Sequence, residues 1–414
     1  MVISQISVVG SRLSGTVEWE DNHRPKQIVW FECAAAPLAP SPEAFLVGCA
    51  LPAMRDRERR VLVDDTVDPE LLKSVAEAMA WLMDAYGYNY PAPVLESSYT
   101  NQCPHPPSGS HAGMLSCGAD SLVMLRLNHA RYAPTHPRYI STGIVINGVD
   151  TPTPTQYEQL IERARAVAET VGIELLPIST NLASVALWPH PTRPFGLFSP
   201  NEYGVCILAA AAHALSGRIS SVSIGSAGTN LGFTFKQARG QHPLLDTLYG
   251  CSSMRVFHED GTMTRLQKLR VIAQWDVGLK NLLICSDWGR KEVNCGRCEK
   301  CVRSMLEFIA LGKLDASPFS GCSISAESVR STMLNSACAE SFWVDLISPL
   351  AAAGRNDLAQ AARAVVREYH RRKRITAAKE RAKEFDRRYL GGVGVRLNRF
   401  VRCASLQSHG GEQI

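Results

Sequence analysis

No apolar run in this chain approaches 18 residues, so no membrane-spanning helix is expected. The first residues, Met1-Val2-Ile3-Ser4-Gln5, lack a basic stretch leading into an apolar core, and no signal peptide is read there. No internal repeat stands out. Charged residues make up only 20% against 45% apolar, the balance of an ordinary water-soluble protein. The 13 cysteines are an odd number and four of them cluster, which argues against a disulfide framework and for a reducing compartment such as the cytoplasm. At 414 residues the chain is long enough for two or three cores.

The formal charge of +5 is unevenly spread. Between Arg355 and Arg402 there are 15 Lys/Arg against 5 Asp/Glu, a local +10, which leaves about −5 elsewhere. A basic stretch of this kind is more often a solvated helix face than a surface for nucleic acid or an acidic protein.

Composition divides the chain in three. Residues 1–100 read as a mixed α/β extension, with strands at Ile6–Val9, Gly15–Trp19, Gln27–Glu32 and Arg60–Val63. Helices are expected at Ser41–Leu51 and Asp68–Tyr86, the second opening with Asp68 as cap and Pro69 in its first turn. Prolines 91, 93, 104, 106 and 107 mark a linker. Over residues 105–315 strands at Ala112–Leu115, Ile140–Ile146, Ile173–Ile178 and Ile219–Ile224 alternate with helices, the pattern of a doubly wound parallel sheet. Residues 316–414 read as helical and basic, with a loose tail from Ser405.

Ser116-Cys117-Gly118-Ala119-Asp120-Ser121 lies between the first of those strands and an apolar helix. A tight polar turn there directs backbone N–H groups and a helix N-terminus at one point, which suits phosphate. The plain alternative is a turn that caps a helix. Further on, Cys285, Cys295, Cys298 and Cys301 give C-x9-C-x2-C-x2-C, a spacing for a tetrahedral structural zinc. An iron–sulfur cluster uses the same ligands. Arg265, Lys268 and Arg270 fall on a helix just before it, where a solvent-facing lysine is an equally ready reading. His242 and His258 are read as structural or surface residues.

The turn resembles the Ser-Gly-Gly-x-Asp-Ser loop of ATP pyrophosphatases, with Cys117 in place of the first glycine. Loop and cysteines in this order resemble the 7-cyano-7-deazaguanine synthase family (QueC-like), over roughly residues 105 to 315. That resemblance implies a Rossmann-like domain binding ATP and Mg²⁺ and holding structural Zn²⁺. It implies that Ser116, Cys117, Gly118, Ala119, Asp120, Ser121 and Lys268 bind the nucleotide, with Asp120, Ser121 and Cys117 nearest the chemistry. Residues 144–147 resemble the strand that lines adenine, and 225–230 the segment facing the second substrate.

The implied reaction is adenylation of a carboxylate, deazapurine-like, followed by amide or nitrile formation, in an enlarged and divergent member. Some enlarged relatives belong to antiphage defence systems and act on protein or nucleic-acid targets, which the basic C-terminal region would suit. Family members often form homodimers. Two readings compete: sulfur transfer to a nucleobase through a persulfide on Cys117 or Cys103, and a nucleotide-binding module without turnover.

Overall fold

In a computed structural model, residues 1–22, 24–100, 109–149, 153–184, 200–228, 240–285 and 293–389 are described. They divide into two compact units, Met1–Ser304 with Leu311–Cys322, and Met305–Ala310 with Ser323–Ile414. Among the described residues no helix is long and apolar enough to cross a membrane.

The first unit opens with β1 (Val2–Val9), β2 (Arg12–Glu18), β3 (Gln27–Glu32), α1 (Pro42–Arg55), β4 (Arg60–Val67), α2 (Pro69–Tyr86) and β5 (Val94–Thr100). Then come β6 (Ser110–Met114), α3 (Ala119–Arg131), β7 (Ile140–Asn147), α4 (Pro154–Val171), β8 (Glu174–Thr180), α5 (Pro200–Ala214) and β9 (Ile219–Gly225). It continues through α6 (Pro243–Asp246), β10 (Arg255–Glu259), α7 (Arg265–Ile272), α8 (Asp276–Lys280) and the first half of α9 (Glu299–Ala310).

Among the described residues ten strands form one sheet, in the order β10-β9-β6-β7-β8-β3-β2-β1-β4-β5. The run from β10 to β8 is parallel throughout, the doubly wound arrangement expected from alternating strands and helices. From β6 the chain steps one way to β7 and β8, then crosses to β9 and β10 on the other side. The switch point therefore lies between β6 and β9.

Residues 1–100, set apart by composition, join this sheet. β3 pairs antiparallel with β8 through Phe31 opposite Thr180 and Glu32 opposite Ser179. Thr180 Oγ1 donates to the Trp30 carbonyl at 2.8 Å, and Asn181 receives the Trp30 N–H at 3.0 Å while donating to Ile28 O at 2.7 Å. The core is common to both stretches. From Pro42 to Met54 only Glu43 in α1 escapes full burial, so that helix is apolar on every side. Phe45 meets Phe31 edge-on, and the Tyr203 hydroxyl of α5 donates to the Gly48 carbonyl. A chain segment so deeply embedded has no independent surface.

Part of the span read as a linker is strand. β5 runs parallel to β4 from Val94 opposite Arg60 to Thr100 opposite Val67. Pro52 lies inside α1 without ending it. The second unit is helical, as read, with α10 (Ala326–Arg330), α11 (Ala337–Ala352) and α12 (Asn356–Tyr389). Within it α12 buries Leu358, Ala362, Val365 and Val366. The tail from Ser405 lies outside the described residues.

Candidate functional site

The turn after β6 sits at the switch point, at the carboxyl edge where ligands of doubly wound sheets collect. Leu115 N donates to Ile144 O at 2.8 Å, after which the chain leaves the sheet. Cys117 takes φ 53°, the left-handed region that costs an L-residue about 1–2 kcal/mol and glycine nothing. That rotation carries the backbone into Gly118, the residue before α3, in extended conformation.

α3 begins without a side-chain cap. Its first intrahelical bond runs from Leu122 N to Gly118 O at 3.0 Å, so the amides of Ala119 to Ser121 precede it. Ser121 Oγ donates to Gly118 O at 3.0 Å, and the hydroxyls of Ser116 and Ser121 are 3.3 Å apart. Together they form a small basin of donors at the positive end of a 13-residue helix.

Three elements hold the basin. The end of β9 presses on it: a Cβ on Gly225 would fall 2.5 Å from Asp120 O and 3.2 Å from Ser121 N. α7 supplies Lys268, only 2% exposed, whose ammonium donates to Asp120 Oδ1 at 2.7 Å and to the Ser226 carbonyl. Arg265 Nη1 lies 3.8 Å from Asp120 Oδ2. A capping box of Thr264 and Gln267 starts α7 and sets the phase that turns Lys268 inward. Lys268 is thus a buried bridge between α3 and the β9 turn, not a solvent-facing lysine. Arg270 is not part of this group.

The third support comes from the cysteine segment. Leu283 N donates to the Cys117 carbonyl at 2.8 Å, two residues before Cys285. Asn294 Oδ1 accepts from Ile284 N at 2.9 Å and Cys285 N at 3.2 Å, while its amide donates to Leu282 O at 3.1 Å. The Sγ atoms of Cys285, Cys295, Cys298 and Cys301 all lie within 4.8 Å of one another. Two of the separations, Cys285 to Cys298 and Cys295 to Cys301, are 3.9 Å. A tetrahedron with metal–sulfur bonds of about 2.3 Å has edges of roughly 3.8 Å. Gly296 at φ 67° makes the knuckle turn.

This four-cysteine cluster can hold a metal ion such as zinc. The chemistry of the donors agrees. The Cys301 thiol is pushed far up, first by its hydrogen bond with Cys298, then by burial and the neighbouring sulfurs. A cation at the centre removes that conflict.

Other residues at or near this edge divide. Cys117 is fully buried, and burial pushes its thiol up to about 12 against a small opposing effect of Arg163. Thr180 and Asn181 reach the carboxyl edge but are occupied in tying β3 to β8. The side chain of His258 is buried and hydrogen-bonded to Asp246 at 2.8 Å, and His242 caps α6 through Leu244 N. Cys103, Asp150, Thr229 and Asn230 lie outside the described residues. Gly225 opens the segment expected to face a second substrate, but its close approach to Asp120 was not legible, and Leu283 and Asn294 were missed. The only available signal was position, at a strand end or beside a ligand cysteine.

No family profile, curated protein or solved structure matches the chain.

Proposed function

We propose that this protein is an ATP-dependent, AMP- and pyrophosphate-forming enzyme that adenylates a carboxylate, with zinc as the structural ion of its cysteine cluster. The observation that carries the reading is the uncapped N-terminus of α3 at the switch point, with buried Lys268 fixed beside it on Asp120.

In this reading a carboxylate oxygen of the acceptor attacks the α-phosphorus of ATP. The bond to the bridging oxygen breaks, and pyrophosphate departs towards the basin. A nitrogen nucleophile then attacks the acyl carbon and AMP leaves. The amides of Gly118 to Ser121 and the hydroxyls of Ser116 and Ser121 take the pyrophosphate charge. Lys268 and Arg265 add positive charge at the same end, and Mg²⁺ travels with the phosphates.

Asp120, already engaged by two cationic side chains, orients Lys268 rather than serving as a bare metal ligand. Zinc supplies no reaction step: four thiolates leave it no open position. A deazapurine-like acid as acceptor, conjugation to a macromolecule and a role in antiviral defence follow from the family resemblance alone.

Sulfur transfer through Cys117 is the weaker reading, because that thiol is buried and pushed up to about 12, far from the thiolate a persulfide carrier needs. A turnover-free module is weighed by the same residue. Cys117 adopts the φ a glycine would, so the substitution has not collapsed the turn.

Calorimetry with ATP and Mg²⁺, combined with pyrophosphate release in the presence of candidate acids, tests the proposal. ATP uptake is expected, with release reduced at least about 100-fold in Asp120→Ala and Lys268→Ala. No uptake at millimolar nucleotide by metal-replete protein would overturn it.

A further inference from the structure

α12 runs for 34 residues, from Asn356 to Tyr389, and its sequence separates two faces. Leu358, Ala359, Ala361, Ala362, Val365 and Val366 are buried and mark the packed side. At 100° per residue, Arg363, Arg367, Arg371, Arg374, Arg381 and Arg388 fall on the opposite side. All six are exposed. The stripe extends over 26 residues, about 37 Å of helix.

No Asp or Glu shares that stripe. The helix's acidic residues, Asp357, Glu368, Glu380, Glu384 and Asp386, all lie on its flanks or its packed side. Among the described residues no carboxylate pairs with Arg363, Arg367, Arg374 or Arg381. Arg371 reaches Glu368 at 2.7 Å, with both side chains well exposed, a pairing that water and salt readily displace. Phe385 and Tyr389 stand on the same stripe, 57% and 64% exposed, with ring centroids 4.8 Å apart. An ordinary solvated helix face intersperses both signs of charge and keeps large aromatics off its surface. This one does neither.

We infer that this face of α12 is a nucleic-acid binding surface that grips the phosphate backbone. The choice of guanidinium decides the class of partner. Every Lys/Arg position on the stripe is arginine, with His370 beside them, whereas Lys373, Lys379 and Lys383 lie off it. A guanidinium binds phosphate through a planar fork, and a phosphate strand offers such acceptors at regular intervals. Carboxylates of an acidic protein meet the same fork without that repeat. The aromatic pair then offers a stacking platform to unpaired bases at the C-terminal end of the stripe. The inference does not rest on the adenylation reading.

The test is fluorescence anisotropy on the full chain, with labelled 30-nucleotide single strands of DNA and RNA, a 30-base-pair duplex, and polyglutamate of equal charge as competitor. Binding is expected to weaken with salt, with a slope of log K against log salt of about −4 for single strands if all six arginines engage. Arg367→Ala/Arg374→Ala/Arg381→Ala should lessen that slope by about 2. Lys373→Ala/Lys379→Ala/Lys383→Ala, which removes equal charge off the stripe, should lessen it by less than 1. Alanine keeps the helix, so circular dichroism verifies both variants.

Phe385→Ala lowering single-strand affinity with no change for the duplex would support the stacking platform. Equal loss in the two triple variants would overturn the inference, because bulk charge would then explain the binding. So would polyglutamate competing as well as nucleic acid, or absence of binding at 50 mM salt. The wild-type slope needs no variant and keeps the test valid if either triple misfolds.

Discussion

The backbone N–H of Leu283 and the carbonyl of Cys117 meet at 2.8 Å, and this one bond joins the cysteine cluster to the turn at the switch point. Cys285 is two residues from the donor; the acceptor residue is the one in left-handed conformation. The cluster therefore braces the part of the turn that has least intrinsic stability.

Metal removal should loosen the turn as well as the knuckle. One zinc per chain is expected by elemental analysis, and its chelation should lower Tm by at least about 5 °C, since binding energy at such sites is folding energy. Cys298→Ser should do the same. If ATP affinity falls with the metal, the Leu283–Cys117 link is the route; a metal-free protein that binds nucleotide unchanged would contradict it.

Cys117→Gly should leave stability within about 1 kcal/mol. Relief of the left-handed strain offsets the entropy of a new glycine and the lost sulfur packing. Pyrophosphate release should persist. Cys117→Val, β-branched at φ 53°, should lose several kcal/mol. Denaturant midpoints read both, and abolished turnover in the glycine variant would favour sulfur chemistry.

Gly225→Ala should be costly for its size. The added methyl would sit 2.5 Å from a backbone oxygen in α3, which no rotamer change can avoid. A loss of about 2–4 kcal/mol is expected, with weaker ATP binding, because β9 must back away from the basin. An unaltered melting temperature would show that the approach of β9 to Asp120 is looser than described.

Stability should depend on pH through two buried rings. His111, between the hydroxyls of Ser221 and Ser223 at 2.7 and 2.9 Å, is lowered to about 3 by burial and then by Arg138. His213 is lowered to about 4, first by burial, against the pull of the Tyr249 carbonyl. Both rings are neutral when folded and take up protons on unfolding near 6.5. Their contribution is full above that value and is lost as pH falls towards 4, at up to roughly 1.4 kcal/mol per pH unit for each ring. Urea midpoints between pH 4 and 7 measure the slope, and His111→Gln should flatten it by about half.

The local patterns were written plainly in the residues. Asp68-Pro69 started a helix, alternating apolar runs marked β6 to β9, and C-x2-C-x2-C announced a metal knuckle, because each depends on neighbours within a few positions. The burial of Lys268 was not legible, since its partners Asp120 and Ser226 lie 148 and 42 residues away. The place of residues 1–100 was also hidden. Their strands are ordinary in composition, and only the pairing of β3 with β8 made them part of one sheet.

Periodicity and spacing, read along the chain, determine which helices and strands form and which cysteines can share an ion. Tertiary structure decided the rest: where the sheet reverses, that Gly225 and Lys268 close on Asp120, and that Cys117 turns its sulfur inward. Those outcomes depend on contacts between distant segments, whose energies come from close packing and burial that no local pattern encodes.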